Sequence, residues 1–324
     1  MFSGRKVQVG LGVETTRGTT VVPAFWIRKT EATVDEKRSY VDNDASVGVL
    51  ADSVGAEIAK EWAEGEVSGY VMDLSFGIIL YGAFGSVSSV VTADAGVYDH
   101  TFTMSTSNTK PALTIDIKSD VEQNKHPLGT VSSLKISAEA GKLVDFSVGF
   151  RAKKGVASTN IPSYEINESL FVGKHVTLKT ATSLAGLTAA TAIKVRNVEV
   201  SIAENIEDHD VIGDSEPVDF ASKFVNVEGN IEAMFENVTD FKNLFKAGTK
   251  KALRLQAVNS DVTIGTSSRP TLTLDLPLVA FEDWSRKSGN NEIVSQTIKF
   301  KGHYSLADAM LIKAVLRNAR VNYV

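Results

Sequence analysis

The chain has no cysteine among its 324 residues, and it has only five histidines. Without cysteine there are no disulfide bonds and no thiol chemistry, and the chain suits folding in a reducing compartment. The histidines are scattered through the sequence and do not pair at the spacing of metal ligands. They are His100, His126, His175, His209 and His303. We therefore expect no metal site and no cofactor.

Long apolar runs are also absent. The longest, FGIILYGAFG at residues 76–85, falls well short of the about 20 residues that a membrane helix needs. The N-terminal MFSGRKVQVG lacks the apolar core of a secretory signal. With 43% hydrophobic and 23% charged residues, the composition is that of soluble globular proteins, so we expect no membrane partner.

The net charge of −5 argues against tight binding of nucleic acid, because such binding depends mainly on lysine and arginine that neutralise phosphates. A surface that nucleic acid slides past remains compatible with this charge.

The sequence is rich in β-type segments, and these occur twice in the same order. Their separation falls smoothly along the chain, which is typical of a duplicated domain. The matching pairs are RKTEATV (28–34) with RNVEVSI (196–202), EGEVSGYV (64–71) with EGNIEAMF (228–235), Gly85 with Gly248, PALTIDI (111–117) with PTLTLDL (270–276), and LVDFSVGFR (143–151) with IVSQTIKFK (293–301).

These repeats predict a mainly β protein with two tandem homologous domains, each a pair of β-sheets with one flanking helix. The predicted helices lie within residues 73–84 and 237–248. The predicted organisation is an N-terminal arm at 1–24, a first domain at 25–155 with a long loop at 40–61, a linker hairpin and second domain at 156–304 with a loop at 206–222, and a C-terminal helix at 305–324.

The two predicted loops occupy equivalent places in the repeat and show no helical or strand period. Structureless loops longer than about 12–15 residues are uncommon in compact domains unless they have a function. We expect the first loop to project and to become ordered on a partner. The residues predicted to make that contact are Val41, Asp42, Asp44, Val47, Val49 and Leu50.

Carboxylates recur on equivalent strands: Glu64 and Glu66 in the first copy, Glu228 and Glu232 in the second. A glycosidase also needs two carboxylates, about 5–9 Å apart. A catalytic pair would not need a copy in both domains, however, so these residues predict a polar sheet face and no enzyme. The acidic segment EDHD (207–210) lacks the alternating oxygens and the glycine of a calcium loop, which favours a solvated loop.

The opening GVETTRGTTVVP resembles the N-terminal pattern of long, non-contractile phage tail tube proteins. The matching residues are Gly12, Glu14, Thr16, Gly18, Thr19 and Pro23. An aromatic residue often precedes the Gly-Thr pair in that family, and this chain has Arg17 there. The EGEVSGYV strand followed by an apolar helix ending in GAFG is also similar to the family.

The resemblance implies a structural virion protein of the phage tail, assembled in the host cytoplasm. Copies would form a ring, expected to be a homotrimer with pseudo-sixfold symmetry, and the rings would stack through a long loop. Its partners would be further copies of itself, the tape measure, the tail terminator and the tail tip, with DNA only in transit. Glu64, Glu66, Glu228 and Glu232 would face an acidic lumen.

Geometry is compatible with that expectation. If each copy gives four strands to a closed barrel, three chains make about 24 strands, ~4.8 Å apart and tilted ~45°, with a backbone diameter of about 52 Å. Side chains take up roughly 10 Å, which leaves a lumen of about 40 Å, wider than a DNA duplex of about 20 Å.

Three alternatives remain from the sequence. The first is another tube- or shell-forming β protein, such as a secretion tube, a capsid protein or a pilus-like protein. The second is a carbohydrate-binding or adhesin module, although no clear platform of exposed aromatic residues is visible. The third is a hydrolase of the β-sandwich type.

Overall fold

A computed structural model describes residues 3–239 and 241–324 of the chain. Strands dominate it, so the mainly β fold is confirmed. The first half contains β1 Gln8–Val13, β2 Phe25–Ile27, β3 Lys29–Ala32, β4 Asp35–Asp42, β5 Ala56–Tyr70, α1 Phe76–Phe84, β6 Gly85–Val91, β7 Tyr98–Met104, β8 Leu113–Lys118, β9 Gln123–Glu139, β10 Asp145–Ala152 and β11 Val156–Ala157. The second half contains β12 Val176–Ala181, β13 Ala192–Ile193, β14 Val195–His209, β15 Asp219–Met234, α2 Lys242–Ala247, β16 Lys251–Val258, β17 Thr271–Lys287, β18 Ser295–His303 and β19 Lys313–Asn318.

One layer of the molecule is a continuous antiparallel sheet, here called the long sheet. Its order is β3 and β4 at one edge, then β5, β10, the second half of β9, β14, β15, β18 and the second half of β17. The pairing of β9 with β14 joins the two halves of the chain, with Ile202 opposite Leu134.

The other layer consists of shorter strands. In the first half, β1 pairs with β2 and β8, and β8 pairs with the first half of β9. In the second half, β12 pairs with β13 and β16, and β16 pairs with the first half of β17. Strands β9 and β17 therefore pass from one layer to the other. The apolar helix α1 is buried, and its residues belong to the main hydrophobic core between the layers.

The same order of pairings occurs twice. In order and pairing, β1, β2 and β5 correspond to β12, β13 and β15, and β3 and β4 together correspond to β14. The later elements α1, β8, β9 and β10 correspond to α2, β16, β17 and β18. The hairpin β6–β7 and the final strand β19 have no counterpart among the described residues. They pair with each other through β7 and β19, so they link the two halves a second time.

The repeated segments EGEVSGYV and EGNIEAMF share a glycine, Gly65 or Gly229, for a steric reason. A Cβ atom at Gly65 would lie 2.1 Å from the carbonyl oxygen of Thr33, and one at Gly229 would lie 2.3 Å from the carbonyl oxygen of Glu199. Each glycine also pairs with a phenylalanine on the next strand, Phe150 or Phe300. Neighbouring backbone thus passes too close for any side chain at both positions.

The match of PALTIDI with PTLTLDL is wrong. PALTIDI ends in β8, whereas PTLTLDL begins β17, and these strands occupy different places in their halves. The strand equivalent to β8 is β16, because both pair with the first half of the strand that crosses between layers. TKPAL (109–113) and TKKAL (249–253) are the segments that lead into these two strands.

The predicted N-terminal arm is partly a strand of the fold. Within residues 1–24, of which the first two lie outside the described residues, β1 pairs with β2 and β8 and buries Val9 and Leu11. The short 3-10 turn Gly4–Lys6 before it matches the turn Gly173–His175 before β12.

The predicted C-terminal helix is wrong. Ser305 does bond to Asp308, with the amide of Asp308 donating to its hydroxyl at 3.2 Å, but this closes a single turn. Residues 313–318 then form β19, which is inserted between β17 and β7. Alternate side chains of β19 are buried. Pairing with the edges of β17 and β7 outweighs the local preference of these residues for a helix.

Both predicted long loops are the ends of hairpins, and strands extend into each of them from both sides. In the first, β4 and β5 extend to residue 42 and from residue 56, which leaves residues 43–55 as the turn. In the second, the turn is residues 210–218 between β14 and β15. The sequence shows no alternation of apolar and polar residues in these hairpins. The reason is that β4 is exposed on both faces and that a β-bulge interrupts each hairpin.

The helices are shorter than predicted, but they end where the glycines predicted. Gly85 and Gly248 adopt left-handed conformations with φ of 88° and 61°. In the second helix region, where Asp240 lies outside the described residues, Phe241 is buried as expected while Val238 is exposed. The segment 180–192 connects β12 and β13 as the predicted hairpin.

Among the described residues, no helix is both long and apolar enough to cross a membrane.

Asp73, just before α1, is a buried carboxyl group that packs beside a second acid. It accepts a hydrogen bond from the amide of Ser169 at 2.6 Å. Burial, and to a lesser degree the charge of Glu168, raise the pKa of Asp73 to about 6. Since this pKa exceeds the usual 3.8, the carboxylate costs folding stability once the pH passes from about 4 to above 6.

We expect Asp73→Asn to stabilise the protein at pH 8 by about 1–3 kcal/mol, because the amide carries no charge and its oxygen can still accept from Ser169. The gain should disappear at about pH 3, where the aspartate is mostly protonated in both states. Thermal unfolding at the two pH values measures this, and a difference independent of pH would contradict it.

Candidate functional site

The long sheet has one buried face and one polar face. In β5, Ala63 and Val67 are buried, and Glu64 and Glu66 point to the opposite face. In β15, Val227 and Ile231 are buried in the same manner. The four predicted carboxylates therefore lie together on the polar face. They are Glu64, Glu66, Glu228 and Glu232.

Cations on neighbouring strands accompany these carboxylates. Glu64 forms an ion pair with Arg151, and Glu228 lies 3.8 Å from the ammonium of Lys301. Glu66 accepts a hydrogen bond from the hydroxyl of Ser147. The polar face is thus of mixed charge, which the sequence did not reveal because the partners come from distant segments.

The second hairpin, β14–β15, folds back onto the first half of the chain through a buried ion pair. Glu204 of β14 binds Lys110, and each side chain is only 1% exposed. The ammonium of Lys110 also donates to the carbonyl of Ala83 at 2.7 Å, in the last turn of α1. Burial lowers the pKa of Lys110 and raises the pKa of Glu204, and their mutual attraction opposes both shifts.

Apolar packing accompanies this ion pair. Phe220 of the second hairpin is fully buried against Ala112 and Leu128, and Ile206 packs against this small cluster. The amide of Ser222 donates to the carbonyl of Asn108 at 2.8 Å. The second hairpin is therefore held by backbone, apolar and ionic contacts together.

Arg17 makes a further contact to the second hairpin. It donates to Asp219 at 2.8 Å and to the carbonyl of Phe220 at 3.1 Å. Its turn is fixed by Glu14, whose carboxylate accepts from the amides of Gly18 at 2.7 Å and Leu128 at 2.9 Å. The residue that departs from the resembled pattern thus has a specific partner in this chain.

The end of the second hairpin also contacts the first hairpin, β4–β5. Asp208 lies 2.6 Å from both Lys60 and Arg151, and the ring of Trp62 packs near both cations. Burial opposes the effect, but hydrogen bonds from Arg151 and Lys60 hold the pKa of Asp208 below its usual value. The amide of Glu61 donates to the carbonyl of Ser215 at 2.8 Å.

The first hairpin, by contrast, projects. All six residues predicted to contact a partner lie at its end and are exposed: Val41, Asp42, Asp44, Val47, Val49 and Leu50. Farther down the hairpin, Tyr40 and Ile58 form an exposed cross-strand pair. Within the described part of the chain, one hairpin is docked and its counterpart presents apolar side chains to solvent.

The sequence did not predict the contacts that Arg17, Lys110 and Glu204 make. The sequence did contain a signal for Glu204. The repeats RKTEATV and RNVEVSI are each followed, two residues later, by a glutamate, which is Glu36 in the first half and Glu204 in the second. No group of residues that could hold a metal ion occurs in 3–239 or 241–324.

We expect Lys110→Met to destabilise the protein by about 3–5 kcal/mol, because it leaves Glu204 buried without a counter-charge. The double variant Lys110→Met with Glu204→Leu should recover most of that loss, since neither charge is then buried. Denaturant unfolding of both variants measures the difference. Equal stability of the single and double variants would contradict a tight pair.

A comparison with protein families matches residues 4–302 to one family, described as phage tail tube protein. None of the curated proteins compared with the chain matches it. The family match begins at the turn before β1 and ends in β18, so it includes the long sheet, both hairpins and both helices. The chain therefore belongs to the phage tail tube protein family.

Proposed function

We propose that three copies of this tail tube protein close into a ring whose inner wall is the long sheet, and that such rings stack into a conduit for DNA. The observation that carries this proposal is a single sheet with one polar face, one buried face and two open edges. A structural role of this kind needs no catalytic residue.

The open edges are formed by β3 and β4 on one side and by the second half of β17 on the other. Within the described residues, β3 and β4 pair only with β5, and residues 281–287 of β17 pair only with β18. An unpaired antiparallel edge is a template for another strand. Joining unlike edges of successive copies continues the sheet, and a rotation that closes makes a ring.

The order of strand pairings, which is repeated in the two halves of the chain, supports a ring of three chains. Each half of the chain supplies four strand positions to the long sheet, so we infer that the chain arose by duplication of one tube domain. Three chains then supply about 24 strands, and the lumen of about 40 Å derived above admits a DNA duplex. The ring would be a trimer with pseudo-sixfold symmetry.

The polar face would line the lumen, with Glu64, Glu66, Glu228 and Glu232 turned towards DNA. Carboxylates repel phosphates at close range, within a Debye length of ~8 Å at physiological salt. Arg151 and Lys301, the cations nearest to Glu64 and Glu228, each pair with a carboxylate, so they are poorly placed to hold a phosphate. A wall of this kind lets DNA pass without binding it.

The projecting end of the first hairpin would make the contact between rings. Its exposed valines and leucine are a small apolar surface that stacking would bury. In the virion tail, assembled in the host cytoplasm, the stacked rings would surround the tape measure and meet the tail tip at one end and the terminator at the other.

We expect the triple variant Val47→Ser, Val49→Ser, Leu50→Ser to stay folded and to form rings that do not stack, because it removes the apolar contact between rings. Negative-stain electron microscopy and light scattering report tube length. The matched control is Val121→Ser, Ile161→Ser, Ile166→Ser, which removes three other exposed apolar side chains. Tubes of normal length from the first variant would count against the stacking role.

Reversing charge on the polar face should turn the conduit into a DNA-binding surface. Tubes of Glu66→Lys with Glu228→Lys should retain short duplex DNA in a nuclease-protected form, by about tenfold over wild type at low salt, and release it as salt rises. The control is Asp120→Lys with Glu122→Lys in the exposed β8–β9 turn. Protection by the control alone would place the lumen elsewhere.

A further inference from the structure

The two halves of the chain meet inside the long sheet, where β14 pairs with the second half of β9. We call this pairing the inner joint. In it, Ile202 lies opposite Leu134, and Ala203 lies opposite Ser133. The inner joint is largely apolar, since alternate residues of both strands are buried. They are Val198, Val200 and Ile202 of β14, and Leu134, Ile136 and Ala138 of β9.

One open edge of the long sheet, formed by β3 and β4, occupies the place that β14 has in the second half. The glycine shared by EGEVSGYV and EGNIEAMF aligns β5 with β15. In that alignment Ala63 is equivalent to Val227. Ala63 lies opposite Glu36, whereas Val227 lies opposite Ile202. Glu36 therefore takes the place of Ile202.

The other open edge, residues 281–287 of β17, occupies the place of the second half of β9. The two phenylalanines that pair with the shared glycine align β10 with β18, which makes Val148 equivalent to Ile298. Val148 lies opposite Leu134, and Ile298 lies opposite Trp284. A β-bulge falls at the equivalent place in both strand pairs, which supports the alignment. Trp284 therefore takes the place of Leu134.

The register of the inner joint, applied to these two edges, brings opposite charges together. It sets Lys37 opposite Asp283, and it sets Arg38 beside Glu282 at the bulge of β17. All four side chains are exposed. Lys37 and Glu282 form no ion pair within the described part of the chain, and Asp283 lies 3.8 Å from the ammonium of Lys299. The two edges thus offer each other complementary charges.

Glu36 would also meet cations, on the buried side of the sheet. Opposite it lies Trp284, and the ammonium of Lys242 is 4.8 Å from the centroid of that ring. Arg286 is diagonal to Glu36 on the same side, within reach of a long side chain. Within one chain, Glu36 is exposed and accepts from the amide of Gly155 at 3.1 Å. A carboxylate that accepts one hydrogen bond can still bind a cation.

The inner joint carries little charge at the same positions. Strand β14 has SIA at 201–203 where β4 has DEK at 35–37, and β9 has SLK at 133–135 where β17 has DWS at 283–285. Charge on an open edge opposes unspecific strand pairing, so it keeps the edges of a free chain available. A partner strand with opposite charges in register overcomes that barrier.

We propose that neighbouring chains of the ring join through these two charged edges, in the register of the inner joint but with ion pairs in place of its apolar contacts. Lys37 pairs with Asp283 of the partner subunit, and Arg38 lies beside Glu282 of the partner subunit. The occupant of each edge is a second copy of this chain. This inference rests on the proposed ring.

A charge exchange tests the ion pair. Lys37→Glu and Asp283→Lys should each weaken every joint by about fivefold, and a ring of three joints by about a hundredfold, because like charges then lie opposite each other. The double variant should restore association, since each joint regains opposite charges. Analytical ultracentrifugation over a range of concentrations measures ring formation, and thermal unfolding verifies that each variant is folded. A double variant that assembles no better than the single variants would overturn the pairing.

Matched controls reverse the same kinds of charge elsewhere. Arg5→Glu and Glu122→Lys change exposed residues outside the long sheet, and both should assemble like wild type. The alternative outcome is pairing of two β4 edges with each other, because DEKR (35–38) is complementary to itself in antiparallel alignment. That pairing would give dimers that Lys37→Glu weakens and Asp283→Lys does not, and it would overturn the proposal.

Cross-linking tests the register, and the chain has no cysteine of its own to interfere. Asp35→Cys with Ser285→Cys should give disulfide-linked trimers on mild oxidation, because these residues lie opposite each other in the proposed joint. Ser39→Cys with Ser285→Cys should not, because four positions along the strand exceed the about 7 Å that a disulfide spans between Cα atoms. Denaturing electrophoresis without reductant measures the products, and equal cross-linking of both pairs would overturn the register.

The outcomes separate this inference from the proposed function. If wild-type protein forms tubes, while the single charge variants form them equally well and the cross-links show no preference, the ring exists but its joint is different. If wild-type protein forms neither rings nor tubes, the proposed function itself fails. Restored assembly in the double variant together with register-specific cross-links supports both.

Discussion

The structure depends on the pairing of β14 with β9, which joins the two halves of the chain in one sheet and encloses a buried ion pair. Lys110 and Glu204 are removed from water together, and each would be costly without the other. The lysine is also tied to the end of α1, so the ion pair fixes the second hairpin against the first half of the fold. The sheet is continuous because β14 pairs along the edge of β9.

Equivalent segments have different surroundings in the two halves. Phe220 is buried because a first half lies beside the second, whereas Ile58 is exposed because the described chain provides no further half. A protein built in this way is left with unsatisfied surfaces at both ends of its sheet. Such surfaces favour assembly, and they explain an exposed apolar hairpin in a chain that is otherwise well packed.

The same principle accounts for the mixed charge of the polar face. Its carboxylates were visible in the sequence, but Arg151 and Lys301 reach them only because β10 and β18 pair beside β5 and β15. Charge on a sheet face is set by neighbours across strands, and these are remote in sequence. A count of acidic residues on one strand therefore overstates how negative the face is.

The sequence by itself determined the β pattern, the glycines that end both helices and the recurrence of one unit, because these follow from local periodicity and backbone sterics. It could not show that residues 313–318 form a strand, since that outcome depends on two open edges supplied by β7 and β17. Nor could it distinguish PALTIDI from PTLTLDL, which look alike and occupy different places. Tertiary structure decided that Glu204 is buried and Glu36 is exposed, because the burial of a side chain depends on the segments that pack against it and not on the residue itself.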